Sequence, residues 1–192
     1  MLRAFIAVDL APQVVAKIGA AIADLKQRLD GLRWVPQTNF HLTLKFLDAI
    51  REEQVEDIYD AMTRELRPFS RCIINAKGLG VFPDSRKPRI LWVGVESNEL
   101  AVLAAHIDRA LAALGFAAET REFKAHLTIG RWRQPTRASR QLIAELERWR
   151  SVDFGHSKID AVIIFQSVLK PGGAEYRRLK TIPLAHEQQQ VS

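Results

Sequence analysis

The chain carries the tetrapeptide HLTL at residues 41–44 and its near copy HLTI at residues 126–129, one in each half of its 192 residues. In an extended strand successive side chains point to opposite faces, so each copy places His and Thr on one face and two aliphatic residues on the other. The aliphatic face can be buried, whereas the His/Thr face needs a polar environment. The repeat therefore predicts two related lobes whose His/Thr faces look into one cleft.

The composition is that of a folded domain rather than a disordered chain. A hydrophobic content of 47% is enough for a sizeable core, and no linker-like or low-complexity segment separates the two halves. We therefore expect residues 1–192 to form a single domain of two intertwined lobes, with one His-x-Thr motif in each lobe. The net charge of +6, from 28 Lys and Arg against 22 Asp and Glu, favours an anionic partner such as nucleic acid.

Cysteine content and hydropathy indicate the compartment. The single cysteine, Cys72, excludes an intrachain disulfide framework and fits a reducing environment. The opening apolar run at residues 4–8 is cut off by Asp9, which does not fit a secretory signal. No apolar run approaches the roughly 18 to 20 residues that span a bilayer. We expect a cytoplasmic monomer with no membrane partner.

Hydrophobic periodicity predicts the order of the secondary-structure elements. In the first half it predicts a strand at 3–9, a helix from Pro12 to Gly31, strands at 32–35 and 40–47, a helix at 52–66 and a hairpin at 72–81 and 89–96. In the second half it predicts a helix with Asn98 as N-cap and Gly115 as its stop, a strand at 122–132, a helix at 138–149 with Leu142, Ile143 and Leu146 inward, and strands at 152–154, 159–169 and 176–184. Both motifs thus fall on strands.

Histidine pairs suit phosphodiester chemistry. The imidazole titrates near pH 6.5, so at neutral pH one ring can accept a proton while another donates one. His41 and His126, on opposite sides of a substrate, could activate water and protonate the leaving oxygen, each step contributing about 10²- to 10⁴-fold in rate. Thr43 and Thr128 lie on the same strand faces and could donate hydroxyl groups to phosphate oxygens.

Several residues near the motifs have two possible roles. Lys45 continues the face of His41 and Thr43, which suits either binding of an anionic substrate or an ordinary cation at the end of a strand. Arg131 has the opposite parity from His126 unless the strand bends at Gly130. Aromatic side chains flanking the motifs suit either base stacking or the core: Trp34, Phe40, Phe123 and Trp132. The cations of the predicted hairpin connection suit either a solvated tip or contacts to substrate phosphates: Arg86, Lys87 and Arg89.

Other classes of site find little support. Two histidines without a carboxylate or thiolate cluster fall short of the three or four ligands usual for zinc. No nucleophile-elbow motif and no glycine-rich phosphate loop occur in the sequence. We expect neither a metal nor a cofactor.

The segments around both motifs resemble the two-histidine phosphoesterases and, within them, the RNA 2′,3′-cyclic phosphodiesterase family once described as 2′-5′ RNA ligases. The resemblance covers nearly the whole chain. The segments that carry it are RAFIAV at 3–8, WVP at 34–36, NFHLTLKFL at 39–47, GVFP at 80–83, RILWVGV at 89–95, LGF at 114–116, REF at 121–123 and HLTIGR at 126–131, together with Ser167 and Tyr176.

The resemblance implies an α+β fold of two lobes, in which two antiparallel sheets are related by a pseudo-twofold axis. Helices pack outside, and the two motifs lie in the central cleft. It also implies hydrolysis of a terminal 2′,3′-cyclic phosphate of RNA to a 2′-phosphate without metal or cofactor. His41 is then the proton donor to the leaving 3′ oxygen and His126 the base, while Thr43, Thr128 and Arg131 hold the phosphate.

One departure from the family is visible before the second motif. Lys124 and Ala125 stand where the family usually has a His-Pro pair, which leaves open how the strand enters the cleft and which substrate fits.

Two alternatives to hydrolysis of a cyclic RNA end stay open. One is the same chemistry on a small cyclic phosphonucleotide or a 2′-5′-linked oligonucleotide, including reversible 2′-5′ ligation. The other is an RNA-binding module without turnover.

Overall fold

The computed structural model describes residues 1–134, 137–171 and 173–185. Its elements alternate strands with helices along both halves of the chain. They are β1 (Leu2–Val8), α1 (Pro12–Leu25), β2 (Leu32–Trp34), a single 3-10 turn (Gln37–Asn39), β3 (Leu42–Ile50), α2 (Gln54–Leu66), β4 (Cys72–Phe82), β5 (Ile90–Glu96), α3 (Glu99–Ala112), β6 (His126–Trp132), α4 (Arg140–Arg148), β7 (Asp153–Ile159), β8 (Ala161–Lys170) and β9 (Gly173–Pro183).

The strands form two antiparallel sheets. Sheet A has the order β3-β1-β8-β9 and sheet B has the order β2-β6-β5-β4-β7. The two motif strands therefore lie in different sheets, each beside the strand that opens its half of the chain, β1 or β5. Each half also supplies strands to both sheets. The predicted α+β class with two antiparallel sheets is confirmed.

The core lies between the sheets and the helices. Strand β1 alternates between the two faces of sheet A: Ile6 joins a large buried cluster that includes Ile18 of α1 and Leu103 of α3, whereas Phe5 belongs to a separate small cluster on the opposite face. That small cluster holds Phe5, Ala7, Ile163 and Phe165. We call the face that carries it the cleft face. Among the described residues, no helix is long and apolar enough to cross a bilayer.

Asn98 lies at the predicted N-cap position of α3, but its side chain does not cap the helix. Its backbone is already helical. The hydroxyl of Ser97 instead accepts hydrogen bonds from the amides of Glu99 and Leu100, at 3.2 and 3.3 Å. A shorter side chain one position earlier therefore satisfies the first amides of the helix.

The predicted inner face of α4 is wrong at Ile143, which is 54% exposed. Glu145 is buried instead. Its carboxylate accepts a hydrogen bond from the indole nitrogen of Trp149 at 3.1 Å and pairs with Arg148 at 3.3 Å. These partners offset the cost of burying the charge, so a polar residue takes a place that the apolar pattern assigned elsewhere.

Candidate active site

A β-bulge in the first motif strand decides which side chains reach the cleft. In the pairing of β3 with β1, Thr43 lies opposite Ala7, but the next paired residue, Lys45, lies opposite Ile6. Leu44 is the extra residue of the bulge. Facing residues of an antiparallel pair share a face, so Thr43 lies on the cleft face with Ala7, while Lys45 lies on the core face with Ile6.

The expectation that Lys45 continues the face of His41 and Thr43 is therefore wrong. Alternation of side chains along the sequence does not reveal the bulge. Lys45 forms an ion pair with Asp108 of α3, and its ammonium donates a hydrogen bond to the carbonyl oxygen of Ala117 at 2.8 Å. Its charge is used to tie β3 to α3 rather than to face the cleft.

The second motif strand has a bulge at the matching position. In the pairing of β6 with β5, Thr128 lies opposite Trp92 and Gly130 lies opposite Leu91, which makes Ile129 the extra residue. The irregularity comes one residue before Gly130, where a bend was considered possible. It places Arg131 opposite Ile90, on the face of Thr128.

Because both bulges fall on the fourth residue of the motif, the fifth residue after each histidine returns to the cleft face. In β6 this residue is Arg131, and in β3 it is Phe46. Phe46 lies opposite Phe5, with ring centroids 6.3 Å apart, and is 67% exposed. Strand alternation alone gives Phe46 no role, although its offset of five residues from His41 equals the offset of Arg131 from His126.

Backbone carbonyls orient both imidazoles. Nδ1 of His126 lies 2.6 Å from the carbonyl oxygen of Lys124, and the ring of His41 bonds the carbonyl of Asn39. A carbonyl only accepts, so the ring donates, and its second nitrogen remains available in the cleft. The contact comes from the residue two positions earlier in both motifs. Because the carbonyl of Lys124 itself makes the bond, the unusual Lys124-Ala125 pair still holds His126 in the same way as His41.

Aromatic rings surround each histidine. The ring of His41 lies 4.7 Å from Phe5 and 4.8 Å from Tyr176, while His126 lies 4.8 Å from Phe82 in an edge-to-face arrangement. The flanking aromatics considered for base stacking pack instead against the large core: Trp34, Phe40, Phe123 and Trp132.

The indole of Trp92 lies beside His126, with the two ring centroids 6.4 Å apart. It lies flat against Gly80 of the neighbouring strand β4, where a Cβ would come 2.1 Å from the indole ring. Gly80 is required here because any side chain would push the indole off the sheet.

Burial favours the neutral form of both histidines in the free protein. It lowers the pKa of His41 to about 4, against smaller upward effects from the Asn39 carbonyl and the charge of Asp9. Burial likewise lowers the pKa of His126, against the upward effect of the Lys124 carbonyl. The charge of Arg131 lowers the pKa of both rings by a smaller amount than burial does.

A carboxylate distinguishes the two sites. Asp9 follows Ala7 by two residues on the edge of the cleft and pairs with Arg178 at 2.5 Å. The equivalent residue in sheet B is Gly94, which lies opposite His126. A Cβ at Gly94 would come 2.6 Å from the carbonyl oxygen of Lys77, so the backbone leaves no room for a side chain there. His41 therefore has a carboxylate, Asp9, at a position where His126 has a glycine.

The acidic and sulfur side chains do not gather around these histidines. In residues 1–134, 137–171 and 173–185, no group of three or more His, Cys, Asp or Glu side chains could hold a metal ion. The groups that the cleft does bring together are imidazoles, hydroxyls, a guanidinium and aromatic rings. This set can bind an anion and exchange protons with it.

The family model of LigT-like phosphoesterases matches the chain twice, at residues 8–92 and 93–176. The RNA 2′,3′-cyclic phosphodiesterase of Methanocaldococcus jannaschii is 31% identical, over 93% of this chain and 99% of that protein. The enzyme of the same name from Archaeoglobus fulgidus is 32% identical, over 93% of this chain and 98% of that protein.

Solved structures share the fold. The crystal structure of TT0787 from Thermus thermophilus matches with a TM-score of 0.80 at 26% identity and covers 97% of this chain and 100% of that chain. E. coli LigT complexed with 3′-AMP matches with a TM-score of 0.76 at 21% identity, over 96% of this chain and 99% of that chain. At that identity the second likeness shows the fold alone.

Proposed function

The chain belongs to the family of LigT-like phosphoesterases, and from that premise we propose that it hydrolyses the terminal 2′,3′-cyclic phosphate of RNA to a 2′-phosphate. The names of its relatives support the substrate. The observation that carries the chemistry is the pair of imidazoles, each held by a backbone carbonyl with one ring nitrogen available, and both within the field of Arg131.

The proposed reaction is one displacement at phosphorus. The free ring nitrogen of His126 accepts a proton from water as the water oxygen bonds to phosphorus. The bond from phosphorus to the 3′ oxygen breaks, and His41 gives its proton to that oxygen. The products are a 3′-hydroxyl and a 2′-phosphate, and solvent returns the two histidines to their starting states.

Thr43, Thr128 and Arg131 stabilise the charge that builds up on the phosphate. Both hydroxyls lie on the cleft face one strand pleat from a histidine, where they can donate to the non-bridging oxygens. Arg131 adds a fixed positive charge that a phosphate can bind in a bidentate manner. Lys45 has no place among these contacts, because its ammonium is paired with Asp108.

Asp9 supports the assignment of His41 as the acid. Its negative charge favours the imidazolium form of His41, and the Gly94 position offers His126 no equivalent. In the free protein burial outweighs this effect. A bound cyclic phosphate brings a second negative charge against His41, and this raises the pKa of that ring in the complex.

Phe46 gives the cleft a surface for the terminal base. Its ring is 67% exposed beside Phe5, at the level of the motif. Every base presents a flat π-face, so stacking here would bind the terminal nucleotide without reading its sequence. Side chains fill every role in the proposed reaction, so the proposal invokes neither a metal nor a cofactor. Because these side chains belong to one chain, the proposal is compatible with the expected monomer.

Product analysis on an RNA with a 2′,3′-cyclic phosphate end tests this proposal. With EDTA present, we expect a 2′-phosphate and a 3′-hydroxyl, and each of His41→Ala and His126→Ala should abolish turnover while the circular dichroism spectrum stays unchanged. A 3′-phosphate product, or more than a tenth of the activity in both variants, would refute the assignment. Faster turnover of a cyclic mononucleotide or a 2′-5′-linked oligonucleotide would change the substrate, and salt-dependent RNA binding without product would indicate a binding module.

A further inference from the structure

Cationic side chains collect at one end of sheet B, beyond the catalytic residues. We call this set the cationic strip. Arg33 lies opposite Arg131 in the pairing of β2 with β6, and Arg131 lies opposite Ile90, the residue after Arg89. The strip consists of Arg33, Arg86, Lys87, Arg89, Arg131 and Arg133.

The hairpin tip of the strip is fastened to the motif strand. The amide of Arg89 donates to the carbonyl of Phe82 at 2.7 Å, and the amide of Trp132 donates to the carbonyl of Arg89 at 3.0 Å. At the tip, the carboxylate of Asp84 accepts hydrogen bonds from the amides of Arg86 and Lys87 at 2.7 and 3.2 Å. The backbone that carries the tip cations is therefore fastened to the end of β6.

The cations at the hairpin tip and at Arg131 are poorly balanced. At the hairpin tip the neighbouring acid is Asp84, which lies 3.6 Å from Arg86, whose side chain is 88% exposed. Within the described parts of the chain, Lys87, Arg89 and Arg131 form no ion pair.

Three acids toward the other end of the cleft, in contrast, each have a cation. Asp9 pairs with Arg178, Asp160 with Arg71 at 3.1 Å, and Glu96 with Lys77 at 3.4 Å. A polyanion that leaves the cleft would thus find a net positive charge along the strip rather than at this end.

We propose that the cationic strip binds the phosphate backbone of the RNA upstream of its cyclic end, so that the enzyme prefers an RNA end to a cyclic mononucleotide. This inference rests on the proposed function. Arginine and lysine bind phosphates without reading the base, so the preference should depend on length and salt rather than on sequence. Arg131 belongs both to the strip and to the catalytic site, which makes the path from one to the other continuous.

The test compares two substrates in one tip variant. Arg86→Gln, Lys87→Gln and Arg89→Gln are combined, and kcat/KM is measured at about 50 and 200 mM salt on a cyclic-phosphate RNA of about ten nucleotides and on a cyclic mononucleotide. For wild type, raising the salt from about 50 to 200 mM should lower kcat/KM on RNA. Loss of three single-strand phosphate contacts should make this decrease roughly 20-fold smaller. Turnover of the mononucleotide should stay within about twofold of wild type.

A variant with Arg64→Gln, Arg67→Gln and Arg140→Gln is the matched control. It removes the same charge from exposed positions on or beside α2 and α4, and it should behave as wild type on both substrates. Three results would overturn the proposal that the strip binds RNA. They are an equal loss of kcat/KM in the control variant, an equal loss on both substrates, and an unchanged salt dependence in the tip variant.

Failure of the proposed function looks different from failure of the strip. If the wild type turns over neither substrate, the proposed function fails, and fluorescence anisotropy with the same RNA then decides the strip. In that measurement, weaker and less salt-dependent binding by the tip variant supports the strip, and unchanged binding refutes it.

Discussion

Replacing His41 by glutamine should make the protein less sensitive to acid. The neutral ring of His41 is favoured in the folded protein, where burial lowers its pKa from 6.5 to about 4. Above pH 6.5 the ring is neutral in both the folded and the unfolded chain. Between pH 6.5 and 4 the unfolded chain binds the proton first, so the folded state loses stability as the pH falls.

The size of this loss follows from the shift. At pH 4.5 the unfolded imidazole is almost fully protonated and the folded one is mostly neutral, which corresponds to about 2.5 kcal/mol of lost stability relative to pH 7.5. His41→Gln has no proton to bind at this site. Its stability should therefore fall by about 2.5 kcal/mol less than that of the wild type over the same interval.

Urea unfolding at pH 7.5 and 4.5 measures the difference, with Thr43→Ala as a control at the same site without a titrating group. The double difference cancels the effect of every other titrating side chain, including His126. Thr43→Ala should lose as much stability as the wild type. If His41→Gln also loses as much as the wild type, the ring is not held neutral by burial and the reasoning fails.

Three further outcomes are expected. Phe46→Ala should lower kcat/KM on a cyclic mononucleotide by about 5- to 100-fold while Phe46→Trp retains activity, and an equal loss on a base-free cyclic ribose phosphate would argue against stacking. Because the pKa values of both histidines are lowered, kcat/KM should peak below pH 6.5 and fall above it, and Asp9→Asn should move the falling limb to lower pH; an optimum above pH 7.5 or an unmoved limb would contradict this. Urea unfolding followed by tryptophan fluorescence and by circular dichroism should give one coincident transition, since both sheets contain strands from both halves; separated midpoints would refute the single domain expected for residues 1–192.

The sequence was enough to predict the class of fold, with two antiparallel sheets. Period-2 alternation and helical spacing located the strands and helices, because those patterns reflect burial of one face. The repeated motif drew attention to His41 and His126, because a polar face that recurs in two strands is unusual in a core.

The sequence could not predict which side chains follow the histidines into the cleft. A bulge depends on how a strand pairs with its neighbour, and that pairing is not written in the strand itself. Strict period-2 alternation predicts that Lys45 faces the cleft and that Arg131 faces away from it. The bulge in each strand reverses this prediction. The cap at Ser97 and the buried Glu145 were missed for a similar reason, because each depends on a local hydrogen bond that competes with the general pattern.

The exchange of strands between the halves has a consequence for how such a site can arise. One half of this chain contains a single motif histidine and parts of two sheets whose missing strands come from the other half. A protein made of one such half could acquire the second histidine only by associating with another copy, and its activity would then depend on concentration. Joining the two halves in one chain makes the pairing intramolecular, and each half is then free to change separately. Phe46 and Arg131, at matching positions, show the two halves already carrying different chemistry.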